Sequence, residues 1–321
     1  MTAILYTVDT ELSPGFHQRG LSADENLRRN VFGEVADGAW GIGYQMRELN
    51  AHGLKGVFFV EALCADVYGD ETLKRIVGPI LDAGHEVQLH LHPEWLKWAD
   101  VNVAPKGGNL ADFDQATQRR LLERGIIALM RAGAPRPTAF RAGNYGANNE
   151  TLRALADLGL KFDSSYNQTL LRAECRIVHS EALNAPIPLD GVIEVPITFF
   201  EDYPGHTRSV QLCALSAAEM RWVLVESIAK ARPTAVVVSH SFELLNEPRT
   251  RANRIHLDRF GKLCATLAKL RDATTARCFA ELAFDQLSRE QTVVAPLKSN
   301  ALRTAHRMLE QTAGALLFAR A

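Results

Sequence analysis

Residues 71–92, ETLKRIVGPILDAGHEVQLHLH, contain one complete repeat of the architecture. Residues 71–83 have a helical period, Gly84 sits where a helix-ending glycine belongs, and EVQLH (86–90) reads as a strand. The same grammar runs outward in both directions. Upstream, AILYTV (3–8) and VFFV (57–60) read as strands, with a helix at 40–52 closed by Gly53. Downstream, helices are expected at 114–132, stopped by Gly133, and at 149–158, stopped by Gly159. Strands are expected at 138–141, 160–163, 193–195, 235–240 and 277–279, with further helices at 217–230 and 253–270. Strand followed by helix, repeated along the chain, is the pattern of βα units and a largely parallel sheet. Right-handed crossovers then leave a doubly wound sheet or a closed barrel.

Composition removes several function classes. The chain has 321 residues, 36 Lys+Arg against 37 Asp+Glu, so it has no electrostatic footprint for nucleic acid. No apolar run approaches the roughly 18–20 residues of a membrane span. The start, MTAILYTVDTELS, lacks the basic and apolar regions of a signal peptide and reads as a strand. Cys64, Cys175, Cys213, Cys264 and Cys278 are odd in number and never spaced C-x-x-C, which argues against a disulfide framework and a zinc ribbon. Small buried thiols in a reducing compartment fit better, and a cytoplasmic location is expected. Two stretches stand apart. Residues 12–37 form a long polar connection after the first strand, and residues 289–321 form a C-terminal helical extension with one amphipathic stretch at 302–317. The extension fits packing on the main domain or on a partner subunit, so a homo-oligomer is compatible with the sequence.

Polar residues gather just after strand ends, which is the edge where sites form in parallel α/β folds. Several separate strand ends carrying reactive groups favour a barrel rim. TVDTE places Asp9 and Glu11 on one side of a strand end, a pairing suited to one base and one metal ligand. GHEVQLHLHPEW places His90 and His92 on one side as well. Two imidazoles and a carboxylate would supply the three protein ligands of a catalytic zinc site. Glu11 is one source of that carboxylate, and Glu94 competes if a helix begins at Pro93. His85, one step earlier, reads as structural. In FRAGNYG, Arg141 ends a strand and could hold a carboxylate ionised and in fixed orientation. VVVSHSFE ends an apolar run with His240, a group able to donate or accept a proton near neutral pH. Trp95, Trp98, Tyr145, Tyr166 and Tyr203 are candidates for stacking on a sugar ring or for plain packing. No G-x-G-x-x-G follows the first strand, and neither G-x-x-x-x-G-K-[ST] nor G-x-S-x-G occurs.

Taken in order, these pieces resemble the polysaccharide deacetylase superfamily, also called the NodB homology or carbohydrate esterase family four group. ILYTVDTE is similar to its opening D-x-D/E motif, GLKGVFFV to its second strand, and GHEVQLHLHP to its metal-histidine motif. FRAGNYG and LGLKFDSSY resemble its arginine motif and the segment after it, and VVVSH its last motif. The resemblance covers roughly residues 3–285 and makes 1–288 a NodB-like deacetylase barrel. It implies an α/β fold, a distorted (β/α) barrel, holding a divalent metal, with zinc the first choice.

The implied activity is metal-dependent hydrolysis of a non-peptide C–N bond. The expected reaction removes an N-acetyl or related acyl group from an amino sugar or glycan precursor. Carried over by position, Asp9 is the general base, Arg141 orients it, His240 is the general acid, and Glu11, His90 and His92 hold the metal. The chain departs from the family pattern in three places. Thr10 replaces the second aspartate, the histidines are spaced H-x-H rather than H-x-x-x-H, and Ala-Gly-Asn-Tyr follows Arg141 where a proline–aromatic pair is usual. Those departures keep two other readings open: hydrolysis of cyclic amides or imides of small metabolites, and an inactive barrel that binds a glycan or a protein.

Overall fold

The computed structural model describes residues 2–103, 106–274, 277–289 and 294–318. The chain divides into two compact units. One comprises Met1–Gly56, Thr198–Arg277 and Ala295–Ala321; the other comprises Val57–Ile197 and Cys278–Val294.

In the first unit, the strand Ala3–Thr10 pairs in parallel with Thr234–His240, from Ala3 opposite Thr234 to Asp9 opposite His240. Both strands are apolar and almost wholly buried, as expected of parallel strands covered on both faces. Helices Ile42–Ala51, Ala217–Ala229 and Arg254–Leu270 belong to this unit, close to their expected spans. Ser216 and Glu219 form a capping box on the second helix, and Asn253 accepts hydrogen bonds from the backbone of Ile255 and His256 to start the third.

The second unit contains the parallel series Val57–Glu61, Glu86–Leu91, Ala139–Ala142, Phe162–Asp163 and Val192–Glu194, closed by the antiparallel Ile187–Leu189. Helices Asp70–Asp82, Gln115–Arg131 and Asn149–Asp157 alternate with these strands. Gly53, Gly84, Gly133 and Gly159 all adopt positive φ at helix exits, the conformation that lets the chain turn off a helix. Gly125 lets the long helix approach the sheet, since a Cβ there would sit 2.6 Å from Leu91.

One local expectation needs correction, and two further features were not expected. Residues 277–279 are not a strand; Phe279–Glu281 is a single 3-10 turn. The Glu86 carboxylate takes the amides of Phe279 and Ala280, each at 2.8 Å, so a side chain replaces the sheet ladder there. Residues 12–37 are not simply a loop. Ser13 and Ser22 cap two short helical turns, Pro14–Gln18 and Ala23–Asn26, and a π-helical turn, Leu27–Val31, follows. The hairpin Phe199–Tyr203 and His206–Ser209, which Leu297–Lys298 extends in parallel, was not expected.

The C-terminal helix Ala301–Phe318 contains the amphipathic stretch expected at 302–317. Its Arg307 is 1 % exposed and bonds Asp202 at 2.7 Å and Glu219 at 3.2 Å, both of which are buried. Removing one partner from a buried ion pair costs about 3–5 kcal/mol. Asp202 would keep Arg208 and His206, so the lower end applies. Arg307→Ala is expected to lower the unfolding free energy by about 3 kcal/mol in urea titration. An unchanged midpoint would show that the helix does not depend on this pair.

Candidate active site

In the first unit, the candidate groups are placed by strand register. Asp9 and His240 lie opposite each other on adjacent parallel strands, so their side chains project to the same face. The pairing continues past the strand end, where Ser241 donates its amide to the Asp9 carbonyl at 2.9 Å. Glu11 follows at the tip of the first strand. Its carbonyl accepts from Asn30 at 2.6 Å, and buried Asn26 exchanges two hydrogen bonds with the Ser13 backbone. The 12–37 segment therefore fixes the backbone from Glu11 to Ser13.

His240 is held from both ends. Its carbonyl accepts from Gln45, whose own carbonyl accepts from the Tyr6 hydroxyl. Its Nδ1 shares a 2.6 Å hydrogen bond with Glu243. Burial disfavours the imidazolium, but the hydrogen bond and charge of Glu243, joined by the charges of Asp9 and Glu11, outweigh it. The His240 pKa is raised to about 9. Glu243 moves the opposite way: burial would raise it, and His240 brings it below the usual carboxylate value. The ring of His240 stacks on Phe242 at 5.2 Å. Beyond Phe242 lies Arg249. Burial pushes its guanidinium down to about 10; Glu11 pulls it back up, while Arg29 and Arg19 press it lower.

In the second unit, Glu61, His90 and Arg141 form one row across three parallel strands. The rings of His90 and His92 meet edge-on with centroids 4.9 Å apart. His90 Nδ1 lies 2.8 Å from the Arg141 carbonyl. A carbonyl can only accept, so Nδ1 carries the proton and Nε2 of the neutral ring is the basic nitrogen. His92 follows the strand end and precedes the 3-10 turn Pro93–Lys97. Its amide donates to Glu61, which also accepts from the amides of Leu63 and Cys64. Burial raises the Glu61 carboxyl against the pull of His92 and these amides. Gly143 has no side chain for a steric reason: a Cβ there would lie 2.6 Å from His92 Nδ1. The histidine pair is thus fixed by a backbone carbonyl, a buried carboxylate and a glycine cradle. Two positioned imidazoles are donors suited to zinc or a similar transition metal. Glu94, the competing carboxylate, lies against Gly108, its Oε1 3.2 Å from where a Cβ would be.

Arg141 is fully buried, bonds the carbonyl and hydroxyl of Ser164 at 3.1 and 3.2 Å, and lies 4.3 Å over the Phe59 ring. Next to it stands a buried acid pair, Asp163 opposite Glu194. Burial raises both carboxyls, and the Asp163 charge pushes Glu194 higher still. Ser165 bonds Asp163 through both its amide and its hydroxyl, and its hydroxyl also accepts from the Ala142 amide.

The sequence missed Glu243, Gln45, Glu61 and Glu194. Glu243 was within reach, three residues after His240 in SHSFE. The others take their roles from partners distant in sequence. Among the aromatic candidates, Trp95, Tyr145 and Tyr166 are buried packing residues, whereas Trp98 keeps partial exposure and Tyr203 is exposed against His206. His85 is buried against Phe58, a structural role as expected.

No family model matches the sequence, and no curated protein does. Solved structures do. A Mycobacterium smegmatis protein provisionally designated a polysaccharide deacetylase superimposes with TM-score 0.58 at 18 % identity, over 92 % of this chain and 94 % of its own. The chain has the polysaccharide deacetylase fold. The expected α/β class and distorted (β/α) barrel of that type are therefore borne out. Also similar are a family 4 carbohydrate esterase from Streptomyces lividans (TM-score 0.44, 13 % identity, covering 92 % of this chain and 98 % of that one) and a family 4 pseudoenzyme from Bacillus anthracis (TM-score 0.43, 14 % identity, covering 93 % and 70 %). No described helix is long and apolar enough to cross a membrane.

The His240–Glu243 pair can be tested directly. Glu243→Gln is expected to move the His240 pKa from about 9 down toward the ordinary imidazole value, read by NMR titration of labelled histidine. A His240 titration unmoved by the substitution would contradict the assigned cause.

Proposed function

We propose that the protein is a metal-dependent deacetylase that removes an N-acetyl or related acyl group from an amino sugar or glycan precursor. The observation that carries this reading is the register of Asp9 against His240, with Glu243 behind the histidine. That arrangement sets an acidic side chain beside an imidazole that is protonated below its raised pKa, the two partners that amide hydrolysis needs. The fold, the histidine pair of the second unit and the order of motifs support the rest.

His90 and His92 act with Glu11 as ligands of a divalent cation, zinc being the first choice. The positioned imidazoles of the second unit fit such an ion. When bound, the ion supplies a water of lowered pKa and polarises the acyl carbonyl. Asp9 takes the proton from the attacking water. His240, protonated below its raised pKa, gives a proton to the nitrogen of the departing amine, which leaves poorly unless protonated. Glu243 keeps that proton on His240 and holds the ring in one orientation. Arg141, fixed by Ser164 and Phe59, is assigned to hold the base ionised and aligned. The five cysteines, none in a disulfide and four of them buried, support a cytoplasmic setting.

Zinc-loaded protein is expected to release acetate from N-acetylated amino sugars. His240→Gln is expected to lower kcat by about 10²–10⁴-fold, the usual loss of a general acid. The double variant His90→Ala with His92→Ala is expected to lose bound metal by elemental analysis. Equal turnover by that double variant would defeat the metal assignment.

The pH dependence has a definite sign. A general acid works only when protonated, so kcat/KM should fall as pH rises through about 9. Glu243→Gln should move that alkaline limb to lower pH. A limb in the same place in both proteins would remove His240 from the role.

A further inference from the structure

Three arginines surround one phenylalanine in the first unit. The guanidinium carbons of Arg19, Arg29 and Arg249 lie 4.9, 4.8 and 5.1 Å from the centre of the Phe16 ring. Arg249 also lies 4.0 Å over Phe242, whose ring stacks on His240. The cluster is thus one aromatic ring removed from the candidate acid.

The Glu11 charge acts on Arg249 from a distance, but no carboxylate among the described residues is bonded to the cluster. Among the described residues the ion pairs of the first unit involve Arg28, Arg208, Arg254, Arg259 and Arg307 rather than these three arginines. Arg29 donates to the Pro248 carbonyl at 3.2 Å, a neutral acceptor. Arg249 is half-buried, and its Nε is buried with no hydrogen-bond partner. Aromatic faces attract cations, but they do not satisfy N–H donors or cancel mutual repulsion among three like charges. A buried donor left unsatisfied is costly, so its persistence calls for an acceptor that arrives from outside. The backbone holds the cluster in place: Arg249 adopts positive φ at 57°, in a turn where Asn246 accepts from the amides of Thr250 and Arg251.

We propose that Arg19, Arg29 and Arg249 form an anion subsite, and that the acylated sugar substrate carries a phosphoryl or carboxylate group bound there. The guanidinium fork matches both oxyanions. A neutral N-acetylated sugar would leave the three guanidinium groups without a directly bonded anion; an anionic one supplies it beside the strand end that carries His240. The word substrate rests on the deacetylase reading above, whereas anion binding does not.

The test uses the full chain loaded with zinc. Inorganic phosphate and D-glucuronate are titrated calorimetrically into wild type, Arg249→Gln, Arg29→Gln and Arg249→Lys. Wild type is expected to bind at least one of them. Either glutamine variant should bind about tenfold or more weakly, with Arg249→Lys in between. Arg29→Gln keeps the result readable if Arg249→Gln does not fold. Tighter phosphate binding assigns the phosphoryl source, and tighter glucuronate binding the uronate. In turnover, kcat/KM for N-acetylglucosamine 1-phosphate or an N-acetylated uronate-bearing disaccharide should exceed that for N-acetylglucosamine by about tenfold or more. That ratio should collapse in the glutamine variants. Equal anion binding by wild type and both glutamine variants overturns the subsite, as does an unchanged ratio. Anion binding lost in the variants, with no acyl release from any sugar, supports the subsite and overturns the deacetylase. Acyl release from neutral and anionic sugars alike does the reverse.

Discussion

The parallel pairing of Ala3–Thr10 with Thr234–His240 is the constraint on which the first unit depends. Side chains in register on adjacent parallel strands project to the same face, and a one-residue slip would send either Asp9 or His240 to the other side. Burial on both faces guards against that slip, because every strand residue from Ile4 to Val8 would lose its place in the core. Asp9 and His240 are 231 positions apart by subtraction of their numbers, yet they are neighbours because a hydrophobic ladder is closed without error.

Charge then does what geometry prepared. A buried imidazole alone would shed its proton, and Glu243 reverses that outcome by a short hydrogen bond on Nδ1. The same device in a milder form sets the other unit, where the Arg141 carbonyl fixes which nitrogen of His90 holds a proton. In both units the partner of the histidine acts on Nδ1. Gly143 adds the steric half of the design, since His92 occupies the space a side chain would need.

Residues 12–37 show how much a polar connection can accomplish. Asn26 and Asn30 are buried and spend their amides on the backbone at Ser13 and Glu11. Phe16 becomes the hub of the arginine cluster. The segment therefore packs and bonds to the end of the first strand rather than acting as a tether between elements.

The sequence by itself determined the alternation of strands and helices, the glycine exits and the strand ends at which Asp9, His90, Arg141 and His240 stand. Periodicity and backbone stereochemistry are local properties, and local properties are legible in a linear string. It did not reveal the hairpin at Phe199–Ser209, the 3-10 turn at Phe279 or the structure within residues 12–37. In those places side chains from far along the chain, such as Glu86 at Phe279, satisfy the backbone in place of a ladder. Tertiary structure alone decided that Glu194 stands opposite Asp163, that Glu61 anchors His92 and that three arginines meet over Phe16. Each of these depends on burial and on partners tens to hundreds of residues away. The energies of buried charge are set by what surrounds a group, and a sequence does not state its surroundings.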